Sequence, residues 1–105
     1  MIRLCAPEEL IEGQSRGFAL PSGRVLAVRR DGRVYAYENR CPHRGIPLEW
    51  QSDHFLDESG TLIQCASHGA LFRIESGECI SGPCVGQELN LIPCEENIQG
   101  IWIDP

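Results

Sequence analysis

The sequence predicts a small all-β domain, an antiparallel sandwich or barrel, and three observations lead to this fold class. Short apolar or β-branched runs alternate with turn residues along most of the 105 residues, which is the pattern of closely spaced strands. The dipeptide Asp31-Gly32 separates two such runs and favours a two-residue hairpin turn. The only helix-like stretch, residues 7–11, is one turn at most and is stopped by Gly13. Since this length suits a single domain, we expect one domain over residues 1–105.

The hairpin around Asp31-Gly32 is the most clearly marked element. Its arms are predicted over residues 24–30 and 33–38. In the second arm two tyrosines alternate with smaller side chains and a glutamate, which gives the two faces of one strand. The later predicted strands are residues 62–64, 71–74, 89–94 and 98–103. Turns are expected at Glu75-Ser76-Gly77 and, within a closing hairpin, at Glu95-Glu96-Asn97.

Composition narrows the classes of partner. Hydrophobic residues make up 42% and charged residues 23% of the chain, the balance of a folded, soluble protein. No apolar run exceeds four residues, as at residues 25–28, so we expect no membrane span. The net charge of −6 argues against nucleic acid and anionic membranes, and it is compatible with a basic patch on a protein partner. Because the sequence begins without an export signal, we expect a cytoplasmic location.

Residues 39–84 differ in texture from the rest of the chain. They contain all three histidines, four of the six cysteines, and glycine or proline every few positions. A stretch with so many turn residues cannot be held by ladder hydrogen bonds alone. We therefore expect a loop-rich subdomain, inserted in a β base and stabilised by something besides its backbone.

Two short segments contain candidate metal ligands that could hold this subdomain together. They are Cys41-Pro42-His43-Arg44-Gly45 and Cys65-Ala66-Ser67-His68-Gly69. Each glycine lets the backbone turn tightly after a pair of candidate ligands. In a reducing compartment, cysteines serve more often as metal ligands than as bridges. Two thiolates and two imidazoles suit either a tetrahedral zinc site or a two-iron, two-sulfide cluster. Because each loop mixes both ligand types, the pattern favours the binuclear cluster without excluding zinc.

The two segments resemble the signature of the Rieske iron–sulfur family, and the resemblance extends over nearly the whole chain. The downstream Gly82-Pro83 is similar to the proline-containing loop that covers the cluster in that family. The resemblance implies a Rieske-type β domain with a [2Fe–2S] cofactor. It also implies that Cys41 and Cys65 ligate the inner iron, and that His43 and His68 ligate the outer, solvent-facing iron.

Departures from the family pattern bear on the redox potential. Respiratory and photosynthetic members have an extra cysteine in each ligand loop, joined as a disulfide, where this chain has Ile46 and Ser67. Those members also direct serine and tyrosine hydroxyls toward the cluster sulfurs, where this chain has Ala70 and Phe72. Hydrogen bonds to the sulfurs raise the potential, so we predict a value at the low end of the Rieske range, about −150 mV.

The resemblance implies an electron carrier rather than an enzyme: a soluble Rieske-type ferredoxin between a reductase and an oxygenase or another oxidoreductase. Two alternatives remain at this stage. One is a small Rieske subunit of a larger oxidoreductase, similar to that of an assimilatory nitrite reductase. The other is a zinc-stabilised interaction module with no redox role.

The other candidate residues are assigned more ordinary roles. His54 is expected at the surface, in a polar insertion over residues 51–60 that we interpret as a surface loop. For Cys79 and Cys84 a bridge or second metal site is conceivable, but small apolar side chains packed beside the cluster are favoured. The remaining two cysteines, at positions 5 and 94, are expected in the core.

Overall fold

The computed structural model describes residues 1–42, 45–49, 53–66 and 69–104. In this part of the chain ten β-strands and one turn of 3-10 helix follow one another: β1 (Ile2–Cys5), the 3-10 turn (Pro7–Glu9), β2 (Ser15–Leu20), β3 (Gly23–Arg30), β4 (Arg33–Glu38), β5 (Leu62–Gln64), β6 (Leu71–Arg73), β7 (Cys79–Ser81), β8 (Leu91–Ile92), β9 (Cys94–Asn97) and β10 (Gly100–Ile103). The predicted all-β class is confirmed. Among the described residues no helix has the length and apolar character needed to cross a membrane.

The strands form three antiparallel sheets. The largest has the order β2-β3-β4-β8, a second has the order β1-β10-β9, and a third has the order β5-β6-β7. The second sheet joins the two ends of the described chain, because β1 pairs with β10. The third sheet consists of three strands of three residues each, so it contributes few ladder hydrogen bonds.

The four-stranded sheet lies between the other two sheets, which explains the apolar run at residues 25–28. Successive side chains of a strand point to opposite faces. Val25 and Ala27 belong to buried clusters that contain isoleucines of β10. Leu26 and Val28 belong to a different buried cluster that contains Ile63 of β5 and the phenylalanine of β6. Both faces of β3 are therefore covered, and its central residues are apolar without alternation.

The hairpin between β3 and β4 forms as the sequence predicts. Asp31 and Gly32 have φ angles of 53° and 78°, both positive as a type I′ turn requires. The Glu12 carboxylate accepts the two N–H groups of the turn at 2.7 and 2.8 Å. The first arm begins at Gly23, one residue before the predicted start.

The predicted closing hairpin is wrong in its register. The sequence predicts one strand over residues 89–94, but β8 covers only two residues. Pro93 separates it from β9, which begins at Cys94. The expected turn at residues 95–97 lies inside β9 instead. The Asn97 side-chain oxygen accepts the N–H groups of Gln99 and Gly100 at 2.9 and 3.1 Å. This bond moves the turn to residues 98–99 and leaves Ile98 96% exposed.

Strands β2 and β7 were not predicted as elements, and β1 was predicted only as a strand-like segment around Cys5, without bounds. Strands β1 and β2 contain charged or small residues between their apolar ones, and most of their residues are partly exposed. Strand β7 has only three residues and begins at a cysteine. Two predictions of short elements are confirmed. Residues 62–64 form β5, and the predicted turn at Glu75-Ser76-Gly77 is closed by a hydrogen bond from the Gly77 N–H to the Arg73 carbonyl at 2.8 Å.

Candidate metal centre

Cys41 and Cys65 begin two turns with the same backbone hydrogen bonds. In the first turn the Cys41 carbonyl accepts the Gly45 N–H at 2.7 Å, and the Cys41 N–H donates to the Ile46 carbonyl at 2.8 Å. In the second the Cys65 carbonyl accepts the Gly69 N–H at 2.8 Å, and the Cys65 N–H donates to Ala70 at 2.8 Å. The chain thus presents two cysteines in one repeated local structure.

The glycine of each turn adopts a left-handed backbone conformation, in agreement with the predicted tight turn after each pair of candidate ligands. Gly45 has a φ angle of 69° and Gly69 a φ angle of 68°, values in the left-handed region that glycine adopts without strain. A side chain at Gly45 would also meet the Arg40 guanidinium, whose Nε lies 3.1 Å from the position a Cβ would take. This contact sets a positive charge against the first turn.

The two turns are joined to each other through the residues that flank them. The Ala66 N–H, next to the second cysteine, donates to the Leu48 carbonyl at 2.9 Å. Leu48 is itself fixed by Asn39, whose side-chain oxygen accepts the Leu48 N–H at 2.9 Å. The Asn39 amide donates to Glu49 at 2.8 Å, and its backbone N–H donates to Arg24 of β3. A buried asparagine therefore ties the first turn to the four-stranded sheet.

The two cysteines share one apolar environment. Both are buried in the same cluster as Leu48, Phe72 and Ala70, and none of the six cysteines is in a disulfide. Neither Ala70 nor Phe72 has a hydroxyl to donate. The Tyr37 hydroxyl of this cluster donates to the Ile74 carbonyl at 2.5 Å, and burial raises its pKa.

A third segment packs against the second turn. A Cβ on Gly82 would lie 2.8 Å from the Ala70 Cα, and the Gly82 φ angle is 104°. Only glycine permits this close approach of the two backbones. The segment that the resemblance assigns to the covering loop is thus in contact with the second cysteine turn.

The donor chemistry of this region fits a metal–sulfur group in part. Two unbridged thiols on adjacent matching turns supply two of the four predicted ligands. The other two, His43 and His68, lie outside the described residues, as do Arg44 and Ser67. Within the described ranges no three His, Cys, Asp or Glu side chains converge on a possible metal position.

The polar insertion over residues 51–60 makes more contacts with the rest of the fold than a surface loop would. Residues 51 and 52 lie outside the description, but Asp53 accepts the Gly17 N–H at 2.7 Å, and Phe55 is fully buried in the cysteine-containing cluster. The interpretation as a plain surface loop was wrong for Phe55, because one aromatic side chain among polar residues gives no periodic signal. His54 is exposed as expected.

The remaining cysteines divide into two pairs. Cys5 is buried and Cys94 half-buried in apolar clusters that involve β10, as predicted for core residues. Burial raises the pKa of both thiols, that of Cys94 to about 11. Cys79 and Cys84 are also buried in the cluster that holds the candidate ligands, and their sulfurs are in contact with each other.

Comparison with known proteins gives a consistent family. Residues 1–96 match the model of the Rieske [2Fe-2S] domain. The ferredoxin component of the alkene monooxygenase system of Xanthobacter autotrophicus is 34% identical over 80 residues, which are 76% of this chain and 62% of that protein. This chain therefore spans less than two thirds of that relative.

Two further comparisons agree in sequence and in shape. The ferredoxin component of the p-cumate 2,3-dioxygenase system of Pseudomonas putida is 32% identical over 85 residues, covering 80% of this chain and 69% of that protein. The ferredoxin of carbazole 1,9a-dioxygenase from Nocardioides aromaticivorans superposes with a TM-score of 0.81 over 99% of this chain and 96% of that one. At 23% identity the second likeness shows the fold.

Proposed function

The chain belongs to the Rieske [2Fe-2S] domain family, and we propose that it is a ferredoxin-type carrier of single electrons rather than an enzyme. The observation on which this proposal rests is the pair of matching turns at Cys41 and Cys65. They bring two buried thiols to adjacent backbone segments within the region that matches the family. The family's cofactor is the [2Fe–2S] cluster, so the zinc-module alternative receives no support.

The proposed ligands are Cys41, His43, Cys65 and His68. A bound [2Fe–2S] cluster supplies reversible one-electron chemistry. The chain's own contribution is to hold two thiolates through the hydrogen-bonded turns and to surround them with apolar side chains that exclude water. The Arg40 guanidinium beside the first turn favours added negative charge nearby.

The proposed partners are a reductase that donates electrons and an oxygenase that accepts them. Two relatives are named as ferredoxin components of a monooxygenase system and a dioxygenase system, which supports a separate carrier over a fixed subunit. The proposal includes a cytoplasmic location, with which the six free thiols are compatible because reducing compartments keep most thiols in this state.

Spectroscopy and metal analysis test the cofactor and its ligands. The purified protein is expected to absorb in the visible range, to contain about two iron and two sulfide ions per chain, and to give an electron paramagnetic resonance signal on reduction. Cys41→Ser and Cys65→Ser should each abolish the signal, and Cys94→Ser should retain it. Colourless protein loaded with zinc would overturn the proposal.

Redox titration tests the environment of the thiols. The expected midpoint is about −150 mV, because Ala70 and Phe72, buried beside the cysteines, have no hydroxyl to donate. Phe72→Tyr adds a hydroxyl and should raise the midpoint, by about 60 mV if the reduced form gains a tenfold preference. Phe18→Tyr, in another cluster, is the matched control and should leave the midpoint unchanged. A wild-type midpoint above zero would contradict the expectation.

A further inference from the structure

Cys79 and Cys84 place two thiols in contact outside the proposed ligand set. Their Sγ atoms are 3.0 Å apart, about 1 Å longer than a disulfide bond. Cys79 is 3% exposed and Cys84 1% exposed. The two side chains therefore already face each other, and a small approach of the sulfurs would join them.

The backbone holds the two cysteines at the neck of one loop. The Cys79 N–H donates to the Gln87 carbonyl at 3.0 Å, and the Gln87 N–H donates to the Cys84 carbonyl at 2.9 Å. An isolated bridge between Glu78 and Glu88 closes the same loop one residue farther out. Because one glutamine backbone bonds to both cysteines, the fold holds their backbones close enough for the two sulfurs to meet.

The thiol pair is buried although its sequence neighbours lie at the surface. The residues on either side of each cysteine, Glu78, Ile80, Pro83 and Val85, are exposed. Burial raises the pKa of Cys84 to about 12, so this thiol is protonated at neutral pH. A protonated thiol reacts slowly with disulfides, and a reagent reaches these buried sulfurs when the loop that carries them opens locally.

We propose that Cys79 and Cys84 form a reversible thiol–disulfide couple. The bridge would close the loop of residues 79–84, which packs against the second cysteine turn through Gly82. The co-reactant is a small-molecule disulfide such as oxidised glutathione. One cysteine loses its proton, and its thiolate attacks the glutathione disulfide and expels one glutathione thiolate. The second cysteine then loses its proton, and its thiolate attacks the mixed disulfide and expels the other glutathione thiolate. The two cysteine thiols are oxidised, the glutathione disulfide is reduced, and the two cysteine protons pass through solvent to the released thiolates.

The couple has a structural consequence at the second cysteine turn. Gly82 lies between the two cysteines in sequence and packs against Ala70, whose carbonyl accepts the Cys65 N–H. A bridge across residues 79–84 restricts the loop that carries this contact. The bridged protein should therefore release iron more slowly than the dithiol form.

Peptide mapping tests the bridge in the holo-protein. Cleavage after glutamate releases residues 79–88, which contain both thiols and no other cysteine. After incubation with oxidised glutathione and alkylation, this fragment should be unlabelled and lighter by its two thiol hydrogens, with the visible absorption retained. After incubation with reduced glutathione it should take up two labels.

Two variants control the mapping. Cys94→Ser removes a thiol from a different cluster and should leave the bridge intact. Cys84→Ser should give only a singly modified fragment. Two labels in wild type after oxidation, a stable glutathione adduct, or bridging only after the absorption is lost would each overturn the couple.

Iron release tests this consequence of the bridge in wild-type protein. Transfer of iron to a chelator is expected to be at least about twofold slower in the bridged protein than in the dithiol form, as a constrained loop opens less often. Cys84→Ser should show no difference between the two glutathione conditions. Equal rates for the two wild-type forms would overturn this consequence of the bridge.

Discussion

The β base and the region of residues 39–84 are stabilised by different interactions. In the base, β2, β3 and β4 pair over long antiparallel ladders, and β10 joins β1 and β9 into a second sheet. The described part of the 39–84 region has three strands of three residues each. Its cysteine turns are held by short-range backbone hydrogen bonds. Side chains add further bonds, since the Asn39 oxygen accepts the Leu48 N–H and the Asp53 carboxylate accepts the Gly17 N–H of β2.

This difference shows how a small protein can combine a base held by strand ladders with loops that place candidate metal ligands. Ladder bonds need neighbouring strands, and a chain that exposes turns toward a ligand gives up those neighbours. Local side-chain hydrogen bonds replace some of the missing ladder bonds. For example, the Asp57 carboxylate accepts a hydrogen bond from the Ser59 hydroxyl at 2.7 Å within a tight turn. A region built this way depends more strongly than the base on any bound group that crosslinks it.

Removal of iron should separate the two regions most strongly. Without a group between the cysteine turns, hydrogen-exchange protection in residues 45–49, 62–66 and 69–74 should fall by on the order of 100-fold, because metal binding and local folding are coupled. Protection in β2, β3 and β4 should change little, since their ladders do not involve the cysteines.

The measurement is hydrogen exchange on holo-protein and on protein freed of iron by a chelator. Reconstitution with iron and sulfide serves as the control and should restore protection in the turns. Equal loss of protection in both regions would show that the base has no independent stability, which would remove the proposed division.

Phe55→Ala should give the largest effect of a single substitution, because Phe55 joins the two regions. Its ring lies 3.1 Å from the position a Cβ on Gly17 of β2 would take, and it shares a buried cluster with Cys65. Deleting a buried phenyl ring costs about 3–5 kcal/mol of unfolding free energy. Urea denaturation measures this loss, and Phe18→Ala is the control. Because Phe18 is only partly buried, an equal loss in both variants would contradict the joining role.

The same phenylalanine shows where sequence information ends. The Asp31-Gly32 turn is readable because its φ angles are a property of two adjacent residues. The repeated turns at Cys41 and Cys65 are readable in part, since each glycine marks a left-handed position. The burial of Phe55 and the bond between Leu48 and Ala66 arise from contacts distant in sequence, which no local pattern encodes.

The misplaced closing hairpin has a different cause. Ile98 is apolar and lies beside a run that alternates, so periodicity predicts it within a strand. The Asn97 side chain accepts two backbone N–H groups there, and that local competition decides the turn. The contact between Cys79 and Cys84 was one of several possibilities from sequence, because five residues of separation permit it without requiring it.

Asn39→Ala tests the dependence of the first turn on one buried side chain. The substitution leaves the Leu48 N–H and the Glu49 carboxylate without their asparagine partner, which costs about 1–3 kcal/mol. We expect lower stability to urea and faster loss of visible absorption. Asn90→Ala removes an exposed amide that donates to Glu38 at 3.0 Å and should cost about 0.5 kcal/mol or less. Similar losses in the two variants would argue against a special role for Asn39.

Glu96→Gln should give the smallest effect, because it alters a side-chain bond in the base, where the ladders are already complete. Arg29 of β3 donates to both oxygens of the Glu96 carboxylate and also to the Leu10 carbonyl at 2.6 Å. The bond to Arg29 lowers the pKa of Glu96. A lowered carboxyl pKa in the folded state contributes stability above the ordinary pKa, and this contribution is lost as the pH falls through the folded value.

The expected loss in Glu96→Gln is about 1 kcal/mol or less near neutral pH, because part of the carboxylate is solvent-exposed and such pairs contribute little. Urea midpoints measured from neutral to acid pH should show the wild type losing its advantage below the ordinary glutamate pKa of 4.5. Glu95→Gln, at the exposed neighbouring position, is the control. An advantage that persists unchanged into strong acid would mean that Glu96 acts through packing, and the base would then owe nothing measurable to this ion pair.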